Sequence, residues 1–176
     1  MRWLIFDTET TGLPAPTAAD LKSQPRIIEL ALVEIVSGEI TREGSWLINP
    51  GQSLSAEITK ITGLTDDDLK GAPQFASALG EISEWFLGAY GLIAHNLPFD
   101  LTMLVNELRH LGKEFAFPYP PQQICTVATF EHLKGRRMKM TELYQEVIGR
   151  ELKQTHRALD DARALAEIVI KAGITE

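Results

Sequence analysis

Trp3-Leu4-Ile5-Phe6-Asp7-Thr8-Glu9-Thr10-Thr11-Gly12 joins a short apolar run to two carboxylates spaced two apart. The run is too short for a helix and predicts a buried strand ending in Asp7. Residues i and i+2 of a strand share a face. Asp7 and Glu9 would therefore project side by side from the strand end. Carboxylates so placed repel each other, and a cation relieves the repulsion. The plainer alternative is a turn-initiating Asp7 and a solvated Glu9. Gly12, Pro14 and Pro16 then turn the chain.

Working outward, residues 27–36 are rich in β-branched and aliphatic side chains and predict a second strand. Ser37-Gly38-Glu39 signals a hairpin into a third strand over 40–48, closed by Asn49-Pro50-Gly51. Short helices are expected over 55–60 and from Thr65. Phe75, Leu79, Ile82 and Phe86 fall at helical spacing within 73–87. A short buried strand follows at 92–94, then a helix over 97–111 with Leu101, Leu104, Val105 and Leu108 on one face. Prolines stiffen 117–121. An edge strand at 124–126 and helices over 126–133, 140–148 and 155–172 complete the chain, the last with Thr155 as its N-cap. A hairpin group followed by strands alternating with helices predicts the α/β class. The sheet would be mixed, an antiparallel meander extended by parallel strands through helical crossovers and flanked by helices. No repeat, low-complexity segment or linker divides the chain, so residues 1–176 are expected to form a single domain.

The 176 residues suit one sizeable core, and 44% hydrophobic with 23% charged residues is an ordinary globular balance. No apolar run is long enough to span a bilayer and no secretory signal is visible. The lone Cys125 excludes an internal disulfide and a multi-cysteine zinc site. Together these favour the cytoplasm and no membrane partner. The net charge of −7 argues against coating nucleic acid by charge alone. It is compatible with acidic residues that gather divalent ions, since two such ions would bring −7 to −3 and would themselves meet a phosphate.

Two further segments carry chemistry. Asp100 ends His95-Asn96-Leu97-Pro98-Phe99-Asp100 near a helix start, where charge–dipole stabilisation would be its plainer role. Asn96 is a candidate N-cap. His156 and Asp161 lie five apart in His156-Arg157-Ala158-Leu159-Asp160-Asp161-Ala162. Asp160 competes with Asp161, because i, i+4 is the tighter helical pair. Helical geometry does not choose between them, and a solvated, charge-laced helix face would also account for all three.

Taken jointly, Asp7-Thr8-Glu9-Thr10-Thr11-Gly12, His95-Asn96-x-x-Phe99-Asp100 and His156-x-x-x-x-Asp161-Ala162 resemble the three motifs of the DnaQ-like, or DEDDh, 3′→5′ exonuclease family. The chain is similar in particular to the proofreading epsilon subunit of bacterial replicative DNA polymerase, from Trp3 to about Ile170. Ile27-Ile28-Glu29-Leu30-Ala31 and Ile61-Thr62-Gly63-Leu64-Thr65 resemble intervening segments. The resemblance implies a ribonuclease H-like fold and two Mg²⁺ or Mn²⁺ ions held by Asp7, Glu9, Asp100 and Asp161. It selects Asp161 over Asp160 and makes His156 the general base toward the attacking water. Imidazole is the side chain that changes charge near neutral pH. Two ions activate that water and neutralise charge on the phosphorus and leaving oxygen, giving nucleoside 5′-monophosphates.

By the same resemblance, Thr10, Thr11 and Leu13 would meet the terminal nucleotide, Phe99 the penultimate one, and His95 and Asn96 would contribute polar contacts. Lys134-Gly135-Arg136-Arg137-Met138-Lys139 holds four of the 17 basic residues. It reads as a solvated loop, or as a phosphate clamp on the incoming strand. Thr62 stands where the family often has histidine. No C-terminal polymerase-binding extension is seen after the last helix, which points to a stand-alone or phage-like enzyme, with a polymerase or repair protein still a candidate partner. The leading expectation is hydrolysis of single-stranded DNA 3′ ends. The alternatives are a 3′→5′ exoribonuclease, since the motifs do not read the 2′-hydroxyl, and a non-catalytic nucleic-acid-binding domain. Asp7→Ala and Asp161→Ala are each expected to abolish hydrolysis while leaving the circular dichroism spectrum unchanged. Full activity in either purified variant would remove the metal assignment.

Overall fold

The computed structural model describes residues 1–16 and 20–175. A five-stranded sheet runs in the order β3-β2-β1-β4-β5. β1 (Arg2–Thr10), β2 (Ile27–Val36) and β3 (Glu39–Leu47) form the antiparallel meander. β4 (Gly91–Ala94) and β5 (Gln122–Cys125) extend it in parallel on the other side of β1. The expected mixed sheet is thus present, with β1 at its centre. Ser37 and Gly38 both have positive φ, 53° and 78°, the backbone of the tight two-residue turn that suits twisted strands.

Helices cover both faces. α1 (Ala56–Thr62) and α2 (Asp66–Lys70) follow β3, and α3 (Phe75–Phe86) leads into β4. α4 (Leu97–His110) crosses from β4 to β5. α5 (Thr126–Thr129), α6 (Met140–Ile148) and α7 (Ala158–Lys171) follow. Leu4, Phe6, Leu30, Leu32, Leu92 and Ala94 pack with α3 and α4 on one face. Trp3, Ile5, Ala31, Val33, Ile35 and Ile93 pack with α6 and α7 on the other. Both faces of β1 are therefore buried, and its sequence reads as a continuous apolar run for that reason.

The expected elements recur with three differences. β1 does not end at Asp7 but stays paired to Thr10, because β2 continues beside it. Its register with β2 shifts between Glu9 and Thr10, a bulge at the place where the acidic motif leaves the sheet. The helix expected over 126–133 is interrupted, a four-residue α5 followed by a 3₁₀ turn at Glu131–Leu133. The last helix begins at Ala158 and not at Thr155.

The start of β2 is fixed from the α4 side. Glu107, buried on α4, accepts from Arg26 Nε at 2.8 Å, Arg26 Nη2 at 2.7 Å and the Ile27 amide at 3.0 Å. A planar guanidinium fits a carboxylate in this two-armed way. Among the described residues, no helix is long and apolar enough to cross a membrane.

Candidate active site

Strand alternation decides where the first motif points. Trp3 and Ile5 belong to the α6/α7 face, Leu4 and Phe6 to the α3/α4 face. Period two therefore sends Asp7 and Glu9 toward α7 and Thr8 toward α4. Thr8 donates to Asp100 Oδ1 from its amide at 3.0 Å and from Oγ1 at 2.8 Å. Asp100 lies in the first turn of α4 and is buried. Its charge is thus tied to β1 through Oδ1. Asn96 holds the N-cap position of α4 without a side-chain capping bond, since its Oδ1 accepts from Arg137 at 3.0 Å.

The third segment departs most from a helical reading. His156 lies before α7, in the left-handed region with φ 52°. Such backbone in a non-glycine residue costs about 1–3 kcal/mol and persists only where neighbours hold it. Thr155 does not cap the helix; its Oγ1 donates to Asp160 Oδ2 at 2.9 Å. The first amide of α7, from Ala158, is instead accepted by Glu29 of β2 at 3.1 Å. Gln154 donates to Asp161 Oδ2 at 2.8 Å. Asp160 is exposed and Asp161 is buried beside the first motif, so geometry now separates the two candidates.

Asp7, Glu9, Asp100, His156 and Asp161 line one pocket of about 160 Å³, together with His95, Asn96 and Phe99. Glu9, His156 and Asp161 each offer a donor atom, all within 4.8 Å of one another. Carboxylate oxygens suit hard divalent ions, whereas the imidazole nitrogen is a softer donor. The electrostatics agree. Burial, then the nearby Asp100, Asp161 and Glu9, holds the Asp7 carboxyl well above the ordinary range. Burial and Asp161 push Glu9 up to about 8. Burial raises Asp100 to about 7 against the opposing Thr8 hydrogen bonds. Burial raises Asp161, with Gln154 opposing. These groups are short of positive charge, and divalent cations would supply it.

Sequence reasoning missed several participants. Thr8 as the partner of Asp100 was implicit in the alternation. Glu29 was signalled by an acid flanked by apolar residues in the first half of β2. Gln154 and Met140, which also line the pocket, carried no signal. His95 reaches the pocket, but its Nδ1 meets Thr126 Oγ1 and its Nε2 meets the Met138 carbonyl, both at 3.1 Å. The carbonyl can only accept, so Nε2 carries the hydrogen.

A neighbouring hollow of about 550 Å³ is lined by Thr10, Thr11, Leu13 and Phe99, and also by Ile58, Ile61 and Thr62. Leu13 is 82% exposed, an apolar surface left open at the lip. The Thr10 and Thr11 hydroxyls build the turn: Thr10 Oγ1 donates to the Gly12 carbonyl at 2.8 Å, and Thr11 Oγ1 accepts from the Arg26 amide at 2.9 Å. The basic loop lies against the pocket rim through His95–Met138 and Arg137–Asn96. Arg136 is bound two-armed to Glu142 at 2.6 and 3.1 Å, and Lys134 pairs with Glu146 at 2.9 Å. A separate apolar cleft of about 490 Å³, lined by Leu79, Leu87, Leu111 and Phe117, holds no carboxylate.

The chain is similar along most of its length to known proteins. Residues 4–169 match the family model described as Exonuclease (RNase_T). DNA polymerase III PolC-type of Bacillus subtilis is 32% identical over 169 residues, and that of Listeria monocytogenes is 34% identical over 176 residues. Each alignment covers 96% of this chain and 11% of the relative, so the chain spans about a ninth of these proteins. Among solved structures, Exonuclease X in complex with 5′ overhanging duplex DNA superposes with a TM-score of 0.70 at 24% identity, covering 99% of this chain and 92% of that one. The nuclease domain of 3′hExo, a DEDDh family member bound to rAMP, gives 0.78 at 20% identity, covering 98% and 92%. These likenesses establish the fold.

The raised carboxyls have a thermodynamic consequence. The folded chain retains protons that the unfolded chain, with carboxylates near about 4, has released. Stability without metal therefore falls as pH rises from about 4 to about 8. Melting temperature in EDTA is expected to drop between about pH 5 and about pH 8, and saturating Mn²⁺ to raise it more at the higher pH. An equal or larger Mn²⁺ gain at the lower pH would contradict proton–metal exchange at this cluster.

Proposed function

Because the chain belongs to the exonuclease family, we propose that it hydrolyses the terminal phosphodiester bond of single-stranded DNA from the 3′ end and releases nucleoside 5′-monophosphates. The observation that carries this reading is the convergence of Asp7, Glu9, Asp100, His156 and Asp161, from three distant segments, on one pocket. Two divalent ions, Mg²⁺ or Mn²⁺, held by the four carboxylates, would supply water activation and charge neutralisation at the phosphorus. The chain's own residues do the rest. His156 accepts the proton of the attacking water. Thr8 and Gln154 fix Asp100 and Asp161 so that little reorganisation is left for the reaction. Leu13, Ile61 and Phe99 offer apolar surface to the bases, and the turn at Thr10 and Thr11 receives the terminal sugar.

DNA is favoured over RNA by the 32–34% identical relatives, which are DNA polymerases by name. We further propose that residues 1–176 act as one exonuclease domain in the service of a DNA polymerase. Of the basic loop, Arg137 is assigned to the incoming strand, because it meets Asn96 at the pocket rim while Arg136 and Lys134 are neutralised by Glu142 and Glu146.

Two experiments test this. A 5′-labelled DNA oligomer and its RNA counterpart, with Mg²⁺, Mn²⁺ or EDTA and Asp7→Ala as control, should show metal-dependent shortening of DNA from the 3′ end. Faster loss of RNA would move the chain to the exoribonuclease reading, and no shortening of either would overturn the exonuclease assignment. In binding titrations against salt, Arg137→Ala should lower the slope by about one phosphate contact and Arg136→Ala should leave it unchanged. Equal slopes in wild type and Arg137→Ala would remove the clamp.

A further inference from the structure

Glu29 is a buried acid beside the pocket that this chemistry does not use. It lies on β2 directly across from Glu9 and is 2% exposed. Its charge contributes to raising Asp7, Glu9 and Asp161. A buried glutamate beside four such carboxylates reads at first as a fifth ligand. Its hydrogen bonds exclude that. Oε1 accepts from Arg157 Nη2 at 2.9 Å and Ser45 Oγ at 3.2 Å; Oε2 accepts from Arg157 Nε at 2.9 Å and the Ala158 amide at 3.1 Å. An ionised carboxylate has about four lone-pair sites, and four donors fill them.

The clamp acts on the residue beside it. Arg157 follows His156, whose left-handed backbone must be held from outside. The imidazole of His156 makes no hydrogen bond to protein among the described residues. The segment is instead pinned around it, by Gln154 on Asp161, Thr155 on Asp160 and Arg157 on Glu29. Of these three, the Glu29 clamp reaches beyond the segment and its own helix to β2, in the sheet that carries Asp7 and Glu9; farther along α7, Arg163 meets Glu43 of β3. We propose that Glu29, through Arg157 and the Ala158 amide, is a positioning residue that registers the His156 imidazole against the carboxylates of β1. This rests on His156 being the base, as assigned above. Glu29 holds the register without touching substrate or metal.

The test compares Glu29→Gln, Arg157→Ala and Arg157→Lys at a temperature where circular dichroism shows each folded. Glu29→Gln keeps the shape and one acceptor but loses the charge that receives both arms of Arg157. Turnover should fall about 10- to 100-fold in Glu29→Gln and Arg157→Ala, with KM little changed. Arg157→Lys should recover part of the loss, since it restores the charge but not the fork. The double variant Glu29→Gln/Arg157→Ala should be no worse than either single one. Additive losses would overturn the proposal. Two readouts do not depend on turnover. Mn²⁺ bound per chain at saturation should be the same in Glu29→Gln as in wild type; loss of an ion would make Glu29 a ligand. The His156 ring resonances should be single in wild type and should broaden or double in Glu29→Gln; unchanged resonances would show that the clamp registers nothing. An inactive wild type would overturn the exonuclease reading alone, leaving these two readouts to decide on Glu29.

Discussion

Burying several carboxylates at one end of a sheet is the constraint to which the rest of this structure answers. Each charge there is disfavoured by lost solvation and by its neighbours. The chain divides the problem. Asp7, Glu9, Asp100 and Asp161 stay under-compensated, while Glu29 and Glu107 are neutralised by arginine. The two neutralised acids are built alike. Each takes both arms of an arginine and also the amide of the residue after it, Ile27 for Glu107 and Ala158 for Glu29. Truncating one partner of such a buried pair is costly, because the other is left charged and dry. The clamps can therefore set backbone positions as well as balance charge, while the under-compensated acids are left to a cation.

The sheet serves this division through its alternation. One face of β1 sends Thr8 to α4 and so fixes Asp100; the other sends Asp7 and Glu9 to α7. The parallel strand β4 ends at Ala94, just before His95, Asn96 and α4. His95 then ties that strand end to the basic loop through Met138. Motifs some sixty to ninety residues apart in the chain thus become neighbours at one edge of the central strands.

What was legible in the sequence followed local periodicity and spacing. The Asp7–Glu9 pair, the Ser37-Gly38 hairpin and the amphipathic stretches of α3, α4 and α7 all obey rules of period two or 3.6. What was not legible depended on distant partners. β1 runs past Asp7 because β2 lies beside it and Thr8 has Asp100 to bond. α7 starts late because its cap is Glu29, a side chain of another strand, and a local reading gives Thr155 that role. Asn96 was readable as an N-cap by type, but Arg137 of a later loop takes its oxygen. Local spacing does not choose between Asp160 and Asp161; the packing of α7 on β1 and β2 buries one and exposes the other.

The cap on α7 also bears on the order of folding. The contacts of Glu29 with Arg157 and Ala158 join residues 128 and 129 positions apart. Closing so long a loop is entropically expensive and is rewarded only after the intervening sheet has formed. The β1–β2–β3 meander, with its short connections, has no such delay. By this argument the docking of His156 and Asp161 beside Asp7 and Glu9 follows formation of the meander. Intermediates in which the meander has formed and the final helix has not docked would carry Asp7 and Glu9 without His156 and Asp161 beside them, and the pocket would still be open on that side.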